Sequence, residues 1–272
     1  MDLHAQQDKA RQLRRQIISM LYKGQSGHPG GSLSIIEMLM ALYYNTANIR
    51  PEDPTWDDRD RIILSKGHAA PALYAVLGDL GYFPTKDFET FRQVDGHLQG
   101  HPDMLLTPGV DVNTGSLGQG ISVASGIALA AKQLQKKYQV YVVIGDGELQ
   151  EGICWEAAMS AAHYKLDNFT LLLDYNGLQI DGSNDDVLSL GDITEKFKAF
   201  GFFVQTVDGH DIEAIVKALQ APSEGKPKMI CCNTVKGKGV SFMEDQFGWH
   251  GRVLTTEEYE TAMKELEGVA GE

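Results

Sequence analysis

The sequence predicts an α/β protein with a mostly parallel central sheet covered by helices on both faces. Three observations carry this expectation. Apolar, β-branched runs such as Val140–Ile144 are uninterrupted by polar residues, as strands buried on both faces require. These runs alternate with segments of helical periodicity. Turn-forming glycines and short polar clusters separate the two kinds of segment.

The elements follow in chain order. Residues 5–23 form an amphipathic helix with Leu13, Ile17, Met20 and Leu21 on its inner face. Gly24–Gly31 reads as a turn-rich loop, and Ser34–Tyr44 as a buried helix. Arg61–Leu64 is a short strand and Ala69–Leu80 a helix. Gly118–Leu134 is a helix rich in small residues. Val140–Ile144 is a strand, Glu151–Tyr164 a helix and Phe169–Asp174 a strand. Ile193–Phe200, Phe202–Val207, Ile212–Leu219 and Met229–Val235 alternate helix and strand, and Thr256–Leu266 is a terminal helix. The length of 272 residues suits one large domain or two small ones, and the pattern favours one domain over 1–272, with 252–272 a C-terminal helix and tail.

The net charge of −13 repels nucleic acid and anionic lipid, so neither is an expected partner. No apolar run approaches the ~20 residues of a membrane span. The first residues, Met1-Asp2-Leu3-His4, do not resemble a secretory leader. Three cysteines, Cys154, Cys231 and Cys232, make no disulfide framework and read as buried thiols of a cytoplasmic protein.

In parallel sheets ligands meet the carboxyl ends of strands. After Val140–Ile144 comes Gly145-Asp146-Gly147-Glu148-Leu149-Gln150-Glu151-Gly152. Asp146 offers oxygen to a hard cation, the glycines admit a bulky anion, and the following helix start favours negative charge. Alone, Asp-Gly is also a common turn. The next strand ends in Asp174-Tyr175-Asn176-Gly177-Leu178. Neighbouring parallel strands lie ~4.8 Å apart, so Asp146 and Asn176 can share one ion. With a backbone carbonyl they would suit Mg²⁺ on a diphosphate. Asp174 is open between a ligand and a supporting carboxylate, and the supporting reading is favoured.

Gly-Asp-Gly followed some thirty residues later by Asn resembles the thiamine-diphosphate fingerprint. Ser26–Gly31, Leu64–His68, Gly100–Pro102, Pro108–Val110, Thr114–Gly120, Gly145–Gly152 and Trp249–Gly251 occur in order along nearly the whole chain. Together they resemble the amino-terminal third of transketolase. One departure is Tyr175, where many thiamine enzymes have Asn.

The resemblance implies a thiamine-diphosphate-binding fold. It implies thiamine diphosphate as cofactor, bound with Mg²⁺, or Ca²⁺ in its place, through Asp146, Asn176 and the Leu178 carbonyl. It puts His68, Gly115, Ser116, Leu117, Gly145, Asp146, Gly147, Glu151, Asn176 and His250 on the cofactor. Of eight histidines, His28, His68, His101 and His250 sit in Gly- or Pro-bounded loops, and the resemblance gives them substrate and cofactor contacts. Imidazole near its ordinary pKa can donate or accept protons during ketol transfer. A His₃ zinc site is the competing reading. His4, His163 and His210 read as ordinary surface or core residues, and His97 stays open. Glu151 either complements a helix dipole or, by the resemblance, acts beside a partner's catalytic carboxylate. Thr114–Gly120 reads as a strand-to-helix turn, and Lys236-Gly237-Lys238-Gly239 as a mobile loop over the cofactor.

Full transketolases resemble the chain only over their first domain. The pyrimidine-binding half, with its catalytic Glu and its cations for substrate phosphate, has no counterpart here. The expectation is therefore the N-terminal subunit of a split transketolase. It would act on sugar phosphates together with a C-terminal, pyrimidine-binding subunit, in an α₂β₂ assembly. The alternatives are a subunit for a related sugar, such as an apulose phosphate or a sulfosugar, and a non-catalytic binding subunit. A generic nucleotide-binding domain would carry Gly-x-Gly-x-x-Gly after its first strand, and this chain does not.

Overall fold

A computed structural model describes residues 3–267; residues 268–272 of the expected tail lie outside the described residues. Five strands, β1 (Arg61–Leu64), β2 (Val140–Gly145), β3 (Phe169–Tyr175), β4 (Phe203–Asp208) and β5 (Lys228–Asn233), form one sheet in the order β1-β2-β3-β5-β4. Every pairing is parallel. All five carboxyl ends therefore lie along one edge.

Ten α-helices are described: α1 (Leu3–Gly24), α2 (Pro29–Leu33), α3 (Ile36–Tyr43), α4 (Ala70–Asp79), α5 (Gln119–Gln133), α6 (Gly152–His163), α7 (Asn184–Leu188), α8 (Ile193–Phe200), α9 (Ile212–Gln220) and α10 (Thr256–Glu265). The sheet separates two apolar cores. Tyr141 and Val143 of β2 face one, with α1, α3, α4, α9 and α10. Val140, Val142 and Ile144 face the other, with α5, α6 and α8. The crossovers from β2 to β3 and β3 to β4 run one way along the sheet over the second face, and that from β1 to β2 passes α4 on the first face before returning through α5 on the second. The step back from β4 to β5 uses α9 on the first face, as a constant crossover hand requires. No helix of the described residues is long and apolar enough to cross a membrane.

Three local expectations need correction. The Gly24–Gly31 loop ends early because Pro29 opens a short helix, where its fixed φ and missing N–H cost nothing. The helix expected from Ser34 is split there, and its main body starts at Ile36. No strand precedes Thr114–Gly120: residues 91–118 are irregular up to α5. The short helix α7, capped by the Ser183 side chain on Asp186 N, has no counterpart among the expected elements.

Candidate functional site

A cavity of about 340 Å³ opens at the carboxyl ends of β1, β2, β3 and β5. It gathers all but one of the residues expected at the site. His28, His68, His101, Gly115, Leu117, Gly145, Asp146, Gly147, Glu151, Asn176, Leu178 and His250 line it. Ser116 does not; its side chain is exposed on the neighbouring surface. Asp174 lies beneath it, fully buried. A larger groove of about 580 Å³ along α1 shares none of these residues, and its charges pair with one another, as in Lys23–Glu89 and Arg15–Glu267.

The register explains the convergence. Gly145 of β2 pairs with Asp174 of β3, so the segments that follow them leave the sheet side by side. Asp146 caps the next turn. Its Oδ1 accepts from Gly147 N at 2.8 Å and its Oδ2 from Gly177 N at 2.6 Å. Burial and the nearby Asp174 carboxylate push the Asp146 carboxyl up to about 6. A cation there would return it to the ionised form.

Asp174 supports this arrangement. Its carboxylate accepts from Lys66 Nζ, Thr234 Oγ1, Ser34 Oγ at 2.8 Å and Asn176 Nδ2 at 3.0 Å. Burial alone would raise this carboxyl, but the Lys66 ammonium and these donors hold it below the usual range. Its oxygens are thus already engaged. Because Asn176 spends its Nδ2 on Asp174, its Oδ1 is the end left for other partners; within the chain it accepts from Leu178 N at 3.1 Å. The Leu178 carbonyl already has a cation on it: Lys236 Nζ, at 3.2 Å.

These donors fit a divalent cation carrying a diphosphate. One carboxylate, one amide oxygen and one carbonyl sit at adjacent strand ends, where a hard ion keeps its remaining positions for phosphate and water. The ammoniums of Lys66 and Lys236 border the same cavity. Burial and the nearby Lys66 push Lys236 down to about 8.

Three imidazoles stand together in the same cavity. The ring centroids are 5.2 Å apart for His28–His68, 5.4 Å for His28–His250 and 5.0 Å for His68–His250. Burial and the neighbouring cations keep them neutral. His28 falls to about 4 through burial and Arg92, and His250 to about 3 through burial and Lys236. His68 is lowered as well, by burial and Lys66. Among the described residues no three His, Cys, Asp or Glu side chains are disposed to hold a metal, and this covers both the trio and the His28, His68 and His101 set of the zinc reading. Nδ1 of His28 is buried beside the cavity without a hydrogen-bond partner in the chain. His101 packs over Gly115, where φ is +146° and a Cβ would stand 2.9 Å from the ring.

The remaining histidines divide. His97 bonds Asp87 at 3.1 Å and lies outside the cavity. His4 is exposed beside Asp8. His210, read as ordinary, is tied into a buried polar network.

Sequence reasoning gives the side chains of Lys66, Glu148 and Lys236 no role of their own. Lys66 and Glu148 stand inside motifs quoted for other residues. Glu148 is buried in the cavity wall beneath the glycine loop, where Ser65 Oγ, Gly118 N at 2.7 Å and Gly145 N at 3.2 Å all donate to it. Lys236 falls in the segment expected to be a mobile loop. Instead the loop is anchored: Gly237 N donates to Gly30 O at 3.0 Å, Asp245 N to Lys236 O at 3.0 Å and Gly239 N to Glu244 Oε1 at 2.9 Å.

Comparison with known proteins agrees with this geometry. The family described as "Transketolase, thiamine diphosphate binding domain" matches residues 5–270. The chain is 45% identical over 263 residues to the 6-deoxy-6-sulfo-D-fructose transketolase subunit SqwG of Clostridium sp. (strain MSTE9), covering 96% of each. It is 42% identical to an apulose-4-phosphate transketolase subunit of Actinobacillus succinogenes, over 95% of this chain and 94% of that one. The crystal structure of Campylobacter jejuni transketolase superposes with a TM-score of 0.92 at 37% identity; the match covers 98% of this chain but 43% of that enzyme. This chain belongs to the thiamine-diphosphate-binding domain family of transketolases.

Proposed function

We propose that the chain is the diphosphate-binding, N-terminal subunit of a two-subunit transketolase. The enzyme would transfer a two-carbon ketol unit from a ketose phosphate to an aldose phosphate. One observation carries this reading: Asp146, Asn176 and the Leu178 carbonyl share a single cavity with the neutral imidazoles of His28, His68 and His250. The near-full-length similarity to proteins named as transketolase subunits supports a separate partner.

In this reading Asp146, Asn176 Oδ1 and Leu178 O hold Mg²⁺, or Ca²⁺ in its place, and Lys66, Lys236 and His68 meet the diphosphate. Gly115, Leu117, Gly145 and Gly147 bring backbone close to the cofactor, with Ser116 at the rim. When bound, thiamine diphosphate supplies the carbanion stabilisation that ketol transfer needs. The chain's own residues orient the substrate and move protons. A neutral imidazole donates from one nitrogen and accepts at the other, so His28, His101 and His250 can exchange protons at substrate hydroxyl oxygens. Because these rings are uncharged, they read the polyol part of the sugar. The anionic end of the substrate then falls to cations of the C-terminal, pyrimidine-binding subunit. Glu151, at the cavity mouth, faces that subunit's catalytic carboxylate. The assembly is α₂β₂, with closed two-fold symmetry. The enzyme is cytoplasmic, in keeping with three buried free cysteines.

A second reading keeps the chemistry and changes the sugar. The two relatives compared above are named for a sulfonated fructose and for apulose 4-phosphate, which favours a donor outside the common pentose and hexose phosphates. A donor screen with the reconstituted complex tests both readings. Ketose phosphates, or the sulfonated or branched ketoses, should outperform 2-oxo acids as donors. Preference for 2-oxo acids would overturn ketol transfer. A complex whose activity is unchanged by His28→Ala would mean a non-catalytic binding subunit.

A further inference from the structure

A buried polar chain runs behind the cavity from α1 to the loop after β5. Arg14 on α1 grips Glu37 on α3 with both guanidinium arms, Nη1 to Oε1 and Nη2 to Oε2, each at 2.7 Å. Burial alone would raise the Glu37 carboxyl, but Arg14 and a hydrogen bond from His210 bring it down to about 2, so it is ionised. Glu37 Oε2 lies 3.0 Å from His210 Nδ1. On the far side of the ring, Val235 N–H donates to His210 Nε2 at 2.9 Å.

These contacts fix the imidazole's state. A backbone amide only donates, so Nε2 carries no proton. Nδ1 carries it and donates to Glu37. The ring is neutral, holds one tautomer and has both nitrogens engaged. The residue after Val235 is Lys236, whose Nζ lies 3.2 Å from Leu178 O and 3.2 Å from His250 Nδ1.

We propose that His210 is a positioning residue for the cofactor site. Through the Val235 N–H it fixes the backbone that carries Lys236, with Glu37 and Arg14 holding the ring from behind. It thereby sets where the Lys236 ammonium meets an anionic diphosphate. His210 does not line the cavity and acts only through this loop. The inference rests on the reading of the cavity as a diphosphate site. Residues that orient ligands from behind typically change affinity by ~10–100-fold when removed.

The test is calorimetric titration of the chain, in a one-to-one complex with its pyrimidine-binding partner, with thiamine diphosphate in magnesium buffer, and separately with thiamine monophosphate. The chain is compared with His210→Leu and His210→Gln. The Gln carboxamide places a donor and an acceptor about as far apart as the two ring nitrogens, so it can serve Glu37 and the Val235 N–H together. His210→Leu should lose ~10–100-fold in thiamine diphosphate affinity and less in monophosphate affinity. His210→Gln should recover most of the loss. Should the Leu variant fail to fold, His210→Asn, too short to reach both partners, gives the same comparison with Gln. Unchanged affinity in the Leu or Asn variant, equal losses for both phosphates, or no recovery in the Gln variant would overturn the proposal. If the complex of the unaltered chain with its partner binds no thiamine diphosphate, the reading of the cavity itself fails and takes this inference with it. Unaltered binding with any of the three contrary results removes the role of His210 alone.

Discussion

Gly177 donates its backbone N–H to Oδ2 of Asp146 at 2.6 Å, so one carboxylate ties the ends of β2 and β3 together. The same carboxylate is the only negatively charged member of the donor set proposed for the cation. Asp146→Ala removes both roles. Thiamine diphosphate affinity in magnesium buffer should fall by on the order of 100-fold or more, a larger loss than removing an orienting neighbour causes. Calorimetry checks this, and wild-type affinity in the variant would remove Asp146 from the cation site.

The ion pair of Lys66 and Asp174 is almost fully buried, with the side chains 3% and 0% exposed. Removing one partner strands a charge without solvent. Lys66→Met should therefore cost about 3–5 kcal/mol of folding stability, read as a lower urea midpoint. A cost under ~1 kcal/mol, the range of exposed pairs, would mean that solvent reaches the site.

Glu148 is surrounded by donors, two of them backbone amides that cannot reverse. In Glu148→Gln one acceptor oxygen becomes an NH₂ group facing N–H groups. The expected loss is about 1–3 kcal/mol, the cost of a buried donor left unpaired. Because Glu148 and Gly145 both line the cavity, cofactor affinity should fall with stability. Loss of stability alone, with affinity intact, would show that Glu148 serves only the fold.

The pH dependence follows from the imidazoles. His28 and His250 have folded-state values near 4 and 3, against an ordinary 6.5. The neutral form is favoured in the folded chain, so the stability it contributes is present above about 6.5 and is lost as pH falls toward 4 and 3. The cations facing them are Lys66, Lys236 and, for His28, Arg92, with His101 also near His28. Urea midpoints measured from pH 7 to 4 should drop less steeply for His250→Phe than for the unaltered chain. Identical slopes would mean that His250 is charged or exposed at neutral pH.

Much of this is readable from residues alone where one periodicity dominates. The run Val140–Ile144 and the stretch Leu171–Leu173 are wholly apolar, so both strands and the ligands after them are legible. Segment 91–118 is not. It has no regular element, and His101 is held there by packing over Gly115 and by two bonds from the Tyr74 hydroxyl to the carbonyls of Gln99 and His101. Lys236 escapes because its place in the cavity depends on the register of β5 against β3 and on a loop pinned to α2 at Gly30. His210 escapes for a similar reason: its partners, Glu37 and Val235, are 173 and 25 residues away in the chain. Ser116 alone of the expected residues lies outside the cavity lining, because a motif names neighbours while the turn decides which of them faces inward.

The central claim is a catalytic site completed by a second subunit. The most direct measurement is ketol transfer by the purified chain, by its pyrimidine-binding partner, and by a one-to-one mixture, each with thiamine diphosphate and magnesium. The account predicts no turnover by either one alone and turnover by the mixture, abolished by Asp146→Ala. Measurable turnover by this chain without the partner would contradict it.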